Sequence, residues 1–489
     1  MSVVNGKNAY RVLGFMLTAM GISMIPALIA SIYFHESKQI VPFLLTITAT
    51  ILIGNIIVVA IPPSEKKAKA RDGFLIVSLA WILASLIGAV PAFASGAIPS
   101  FIDSFFETCS GFTTTGASLI ENIEIMPKSI LLWRSCAVWL GGAGIILFTA
   151  FVLPFSSIRG HKLARHQLSL QHIGKFHLKF HGTVSKLFRL YVFLTLSLII
   201  FFYLGKMSLF DSILHGLSTI GTGGFSTYNN GLAHFGNPFI NWVCIIFMFI
   251  AGSNLNLWLG LKKYGIKTFR KNAEFKFYLI LIVSASTLIS TNTYFSGIFT
   301  TPCEAITSGF FQVTSFISTS GQRLSNFNAW PTFSKMILLA IMLIGGCTSS
   351  LAGGPKVLRI LTSIRLIQRG ISIKLHPNKI FVISIDKKEL PQEVSTNIAN
   401  FMFLYFFTIF SGCLLVSIND FDLITTFSGV LACLNNIGLG FNLVGPTGGF
   451  HIFSGFSKLI LSLLMIAGRL ELFTLLMLFS PHYWNPDRV

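Results

Sequence analysis

Uncharged or nearly uncharged apolar runs of bilayer-spanning length recur along the whole 489-residue chain. A hydrocarbon core of ~30 Å needs about 20 consecutive apolar residues in a helix. Runs that meet the requirement read as spans at 12–34, 40–61, 74–98, 133–158, 184–205, 238–261, 276–299, 335–354, 397–418 and 458–480. Only 11% of residues are charged, against roughly 25% in a soluble domain, so an ordinary water-facing surface is excluded. Disordered, collagenous and disulfide-scaffold chains are excluded on the same grounds. The expected fold class is an all-α polytopic membrane protein with ten transmembrane helices. The first run carries no charge and no small-residue cleavage pattern, and is too long for a signal-peptide core, so it reads as a retained span.

The net charge of +19 would suggest nucleic acid if it were spread over a surface. Instead it sits in linkers: Lys66, Lys67, Lys69 and Arg71; Arg159 to Lys179; Lys262 to Lys271; Lys356 to Lys379. Basic linkers on alternate sides orient a membrane protein, and here they place both termini in the cytoplasm, with no nucleic-acid partner. Seven basic residues (Lys38, Lys128, Arg134, Lys206, Arg323, Lys335 and Lys458) fall outside, and Arg469 falls within a span. The seven cysteines form no CxxC pair and read as small buried hydrophobes. Five histidines between Arg159 and Arg189 (161, 166, 172, 177, 181) match no metal-ligand spacing and read as a solvated or lipid-facing face. Trp133, Trp139, Trp242, Trp258 and Trp330 lie near span ends, where interfacial anchors belong.

Between certain spans lie apolar runs too short to cross, at 101–112, 209–220, 304–317 and 421–434. Each leads into a small-residue loop: GFTTTGAS, STIGTGGFST, FISTSGQRLS and LNNIGLGFN. Aligning these loops brings Gly116, Gly224, Gly321 and Gly438 into register. The pattern predicts span, re-entrant helix, loop, span, four times over, with parallel repeats about an axis along the membrane normal. Irregular backbone at membrane depth needs protein or a water-filled path to satisfy it. Four such loops around one axis would aim carbonyls inward in place of the hydration shell of a cation. Asp103, Asp211, Glu304 and Asp420 or Asp422 stand near the starts of the short helices, and the expectation is that they cap or complement those N-termini. An acidic outer mouth that concentrates cations is the other reading.

The eighth span is interrupted by GGCTSSLAGGPK, whose glycines and proline cannot continue a helix. Pro355 after Gly354 excludes a phosphate-binding loop, which needs lysine there. A packing kink is the plain alternative. Arg469 lies mid-span with Glu471 two residues on, and a charge at that depth costs ~2.5–3.5 kcal/mol on insertion scales. A salt bridge within the bundle would offset that cost. Glu471 is the single carboxylate expected within a span, so proton coupling has little to rest on. A membrane enzyme would need convergent His, Asp, Glu or Ser groups, and the chain offers none.

With its loops in register, GGCTSSLAGGPK in the third repeat and AGRLELFTLL in the last, the chain resembles the bacterial Trk/Ktr potassium-uptake family, most closely its TrkH-type membrane subunits. The resemblance implies ten transmembrane helices, of which eight form four parallel helix–re-entrant loop–helix repeats around a pseudo-fourfold pore. The implied regions are 1–71 (two N-terminal helices), 72–180, 181–272, 273–392 (with an intramembrane gating loop) and 393–489. It also implies potassium bound by main-chain carbonyls of Thr114, Thr115 and Gly116; Thr222, Gly223 and Gly224; Thr319, Ser320 and Gly321; Asn436, Ile437 and Gly438. In related plant transporters serine at the first of these glycines accompanies sodium transport, so four glycines favour potassium. The implied gate is the loop with Gly345, Gly346, Gly353 and Gly354, and Arg469 would stand on the conduction path just inside the filter. The expected activity is potassium uptake across a bacterial inner membrane, with no cofactor beyond K+. The alternatives are a proton- or sodium-coupled symporter or a sodium-conducting relative. The implied partners are the lipid bilayer, a second copy in a homodimer, and a separate cytosolic subunit that binds NAD or ATP.

Overall fold

The computed structural model describes residues 6–63, 70–156, 173–378, 381–386 and 388–484. His161, His166 and His172 lie outside them, as do Lys66, Lys67 and Lys69. Helices α1 (Gly6–Ser23), α2 (Ile25–Tyr33) and α3 (Ser37–Ala60) open the chain, with α1 packed along α3. Then follow α4 (Ala70–Ala94), the short α5 (Phe101–Phe112) and α6 (Lys128–Ser156); α7 (Ile173–Leu204), the short α8 (Leu209–Ile220) and α9 (Pro238–Gly252). Helices α10 (Leu255–Tyr264) and α11 (Lys267–Lys271) lead to α12 (Ala273–Phe295), the short α13 (Pro302–Ile317) and α14 (Thr332–Met342). After α15 (Val357–Leu375) comes an antiparallel hairpin of β1 (Ser384–Ile385) and β2 (Lys388–Glu389). The chain continues with α16 (Gln392–Val416), the short α17 (Leu423–Leu434), α18 (Gly455–Arg469), α19 (Phe473–Phe479) and α20 (Pro481–Trp484).

Among the described residues seven helices are long and apolar enough to cross a bilayer, or nine spans if two bent pairs each count once. The expected continuous spans at 238–261 and 458–480 are those bent pairs. The chain turns by 101° between α9 and α10 and by 115° between α18 and α19. The first bend arises because the end of α9 gives its carbonyls away: Ala251 and Gly252 accept the N–H groups of Leu351 and Cys347. The second arises at Gly468, where a Cβ would collide with the Leu434 carbonyl. α18 therefore packs directly on the end of α17, and Glu471 and Leu472 then take positive φ. The eighth expected span, at 335–354, is a helix only over Thr332–Met342.

Each short helix is wedged between its flanking long ones: α5 between α4 and α6, α8 between α7 and α9, α13 between α12 and α14, and α17 between α16 and α18. Each also rests on the helix that ends the preceding set: α8 on α6, α13 on α9, α17 on α14, and α5 on α18. The order is cyclic, so the last set closes on the first, and a Lys458–Asp103 ion pair of 2.7 Å clamps that seam. Two expectations need correction here. Trp133 and Trp330 are buried inside the protein, and the Trp133 ring N–H donates to the Gly88 carbonyl, so neither is an interfacial anchor. Cys303 is exposed, unlike the buried Cys109, Cys244, Cys347 and Cys433.

Candidate functional site: four loops on one axis

The short helices begin with a shared local device. The Oγ atoms of Ser100, Ser208 and Thr301 accept the backbone N–H of Asp103, Asp211 and Glu304, three residues on. In α17 the order is reversed, and Asp422 itself accepts from Thr425. The acidic residues of the first three helices therefore stand at the third position of the first turn, where they complement the N-terminus, while Ser or Thr is the cap. The S/T-x-x-D/E pattern was the sequence signal for this. Burial raises the Asp422 carboxyl, but hydrogen bonds from Thr425 and Asn442 outweigh it and hold the group below its usual range. Ser208→Ala should lower stability by about 1 kcal/mol, read as a lower thermal unfolding midpoint of the solubilised protein.

The helices end alike as well. The N–H groups of Thr115, Gly223, Ser320 and Ile437 each donate five residues back, to the carbonyls of Ser110, Ser218, Ser315 and Ala432. Those of Thr114, Thr222, Thr319 and Asn436 each donate three residues back. This is the Schellman closure, in which the residue past the helix takes the left-handed region, usually as glycine. Here that position holds Thr114 (φ 55°), Thr222 (59°), Thr319 (52°) and Asn436 (54°). A β-branched residue there costs of order 1–3 kcal/mol, so three threonines in the same place, with an asparagine at the fourth, mark a backbone held by its surroundings. Two residues later Gly116 (φ 80°), Gly224 (62°), Gly321 (60°) and Gly438 (78°) return to positive φ.

The loops lean on one another in a closed circuit. A Cβ on Gly116 would collide with the Gly223 carbonyl oxygen, one on Gly224 with those of Ser320 and Gly321, one on Gly321 with that of Ile437, and one on Gly438 with that of Thr115. The twelve expected filter residues thus meet at one place, and the walls around them are buried. Asn436 bridges two corners, donating to Thr115 Oγ1 at 3.0 Å and to the Met465 carbonyl at 3.0 Å.

Residues 344–356 pass beside the inner ends of these loops. The Gly353 N–H donates to Thr319 Oγ1 at 2.7 Å, and the Thr222 hydroxyl donates to the Leu351 carbonyl at 3.2 Å. Gly353 has no room for a Cβ against the Asn435 carbonyl. Gly345 and Gly354 both take positive φ and face each other, while Gly346 packs on the Gly252 carbonyl. Arg469 is buried and donates to the carbonyls of Leu351 (2.9 Å) and Gly141 (3.4 Å). It pairs with no carboxylate among the described residues. Glu471, expected mid-span, lies in the bend after α18 and pairs with Arg359 at 2.6 Å. The alternative reading, a salt bridge to Arg469 within the bundle, is therefore not met among the described residues.

Sequence reasoning passed over two groups that hold this site. Asn435 donates to the Met342 carbonyl at 2.6 Å and meets the Tyr405 hydroxyl, joining α17 to α14 and α16. Glu107, one turn beyond Asp103 in α5, is buried against Arg134. A carboxylate in the middle of an apolar run was itself a legible signal. Among the described residues no cluster of His, Cys, Asp and Glu has the makings of a metal centre.

Residues 39–485 match the family model described as TrkH, cation transport protein. The chain is 31% identical over 468 residues to the Trk system potassium uptake protein TrkH of Salmonella typhimurium, covering 95% of this chain and 96% of that one. It is 32% identical to the TrkH of Vibrio parahaemolyticus, covering 98% of this chain and 99% of that one. Identity to the TrkG protein of Escherichia coli is 30%, over 96% and 97% of the two chains. Among solved structures, the crystal structure of the potassium transporter TrkH from Vibrio parahaemolyticus superposes with a TM-score of 0.90 at 30% identity, covering 99% of this chain and all of that one.

Proposed function

The chain belongs to the TrkH family of cation transport proteins, and from that membership we propose that it takes up potassium across a bacterial inner membrane through a pore formed within one chain. The observation that carries this reading is the closed circuit of the loops around Gly116, Gly224, Gly321 and Gly438, each resting on a carbonyl of the next. In this reading eight of ten spans form four parallel repeats about that axis, with α1 to α3 as the N-terminal addition and both termini cytoplasmic. Main-chain carbonyls of the twelve loop residues replace the hydration shell of K+. The negative ends of the four short helices point at the same place and favour a cation there.

The gate is the segment around Gly345, Gly346, Gly353 and Gly354. Its hydrogen bonds to Thr222, Thr319 and Arg469 fit a closed position directly beneath the filter. Flux is driven by the membrane potential. Obligatory coupling to protons would call for a titrating carboxylate near the path, and Glu107 and Glu471 are already paired, with Arg134 and Arg359. A second copy and a cytosolic nucleotide-binding subunit are the partners, the latter acting on the loops that flank α15.

The test is uptake of rubidium and sodium into liposomes holding only this chain, with and without an imposed potential or pH gradient. Rubidium uptake that follows the potential and exceeds sodium uptake is the expected result. Uptake that requires a pH or sodium gradient would overturn the channel-like mechanism.

A further inference from the structure

The circuit of loops is supported from behind by groups on the short helices, and the four corners differ there. Nine residues before the registered glycine stand Glu107, His215, Gln312 and Gly429. His215 meets Thr227 at 3.3 Å, Gln312 reaches the Gln322 carbonyl at 3.5 Å, and at the fourth corner Ser428 accepts the Phe441 N–H at 2.9 Å. At these four positions the second, third and fourth corners carry neutral groups, although Thr227 also donates to Asp211 at 2.7 Å, Ser315 to the Gln322 carbonyl at 2.7 Å and Asn442 to Asp422 at 2.8 Å. The first is held by a buried ion pair.

Glu107 Oε1 lies 2.6 Å from Arg134 Nη2, with the side chains 2% and 5% exposed. The same carboxylate accepts the Ser118 hydroxyl at 3.0 Å and the Leu119 N–H at 2.8 Å, so it grips the chain just as it leaves Gly116. Arg134 donates to Ser118 Oγ at 3.1 Å, and its guanidinium lies 4.1 Å from the ring centre of Phe225, the residue after Gly224. The carbonyl of Ser118 in turn accepts the N–H of Phe450, from the segment that follows the fourth loop. One buried pair therefore fixes the outer ends of the first and second loops and touches the approach to the fourth.

We propose that Glu107 and Arg134 are a specificity-determining positioning pair: they hold the ring of carbonyls at the diameter that suits potassium and keep it from closing around sodium. This rests on the filter reading given above. The physical basis is that a bare sodium ion is smaller, so carbonyls must move inward to replace its hydration shell. Charge-assisted hydrogen bonds to the loop exits resist that movement more strongly than neutral ones do, and burial protects them from screening by salt. The guanidinium over Phe225 carries the same restraint to the second loop.

The experiment compares wild type, Glu107→Gln, Arg134→Gln, the double variant and Phe225→Leu, each purified, checked for monodispersity and assayed for rubidium and sodium uptake in liposomes. Either single change leaves a buried charge without its partner, and the rubidium-to-sodium ratio should fall by about tenfold or more. The double variant, with no orphaned charge, should recover rubidium uptake yet keep a lowered ratio, a split that mere loss of structure would not produce. Phe225→Leu should lower the ratio less. If the single variants do not fold, the double variant and Phe225→Leu decide. Monodisperse variants with the wild-type ratio overturn the proposal, while a wild type that does not prefer rubidium overturns the filter reading and this proposal with it.

Discussion

Gly116→Ser should remove most of the preference for rubidium over sodium while leaving the protein in the membrane. Two penalties act at that position. The backbone stands at φ 80°, in a region where a side chain costs of order 1–3 kcal/mol. The added Cβ also collides with the Gly223 carbonyl oxygen, an atom with no rotamer by which to escape, so the first and second corners must part. Because the second corner rests on the third, and so on round the circuit, the displacement is not confined to one carbonyl. A loss of about 1.4 kcal/mol in differential binding is tenfold in selectivity, and a shift of this kind should exceed that. Ion ratios measured on the liposome-reconstituted variant provide the check, and an unchanged ratio would place Gly116 away from the ions.

Arg469→Ala is expected to act in the other direction, raising basal cation flux. Its guanidinium holds the Leu351 carbonyl at 2.9 Å and the Gly141 carbonyl at 3.4 Å. Removing it frees residues 344–356 from α18 and deletes a buried positive charge beside the proposed path. Hydrogen bonds from a charged donor contribute ~1.5–3 kcal/mol. Loss of the shorter one alone should shift the balance toward the open state by roughly tenfold or more. Rubidium efflux from loaded liposomes without any regulatory subunit measures this. A folded variant with no flux would mean that Arg469 serves only to pack the bundle.

The short helices were legible to within two residues, because an apolar run of 12 to 16 residues bounded by polar caps and small-residue loops has one sensible length. The registered glycines were legible because only glycine tolerates both positive φ and a neighbour's carbonyl at Cβ distance. The bends after Gly252 and Arg469 were not. Hydropathy records how apolar a segment is and nothing of its direction, and both bends are fixed by partners far away in sequence. Gly252 yields its carbonyl to Cys347, and Gly468 packs on Leu434. The same blindness made Glu471 look like an intramembrane charge beside Arg469, when the turn carries it to Arg359. The left-handed threonines were invisible for a related reason. Their conformation is imposed by helix closures repeated at four corners, against their own intrinsic preference.

A circuit in which each corner leans on the next has no free edge, and this bears on how the molecule is made. The Gly438 corner is synthesised long after the Thr115 carbonyl that it must meet. Until the last short helix has inserted, the first three corners form an open arc whose terminal surfaces have no protein to lean on. A chain stalled before Asp422 would carry most of its spans and no enclosed pathway. On the proposed reading, conductance and completeness would arrive in the same step.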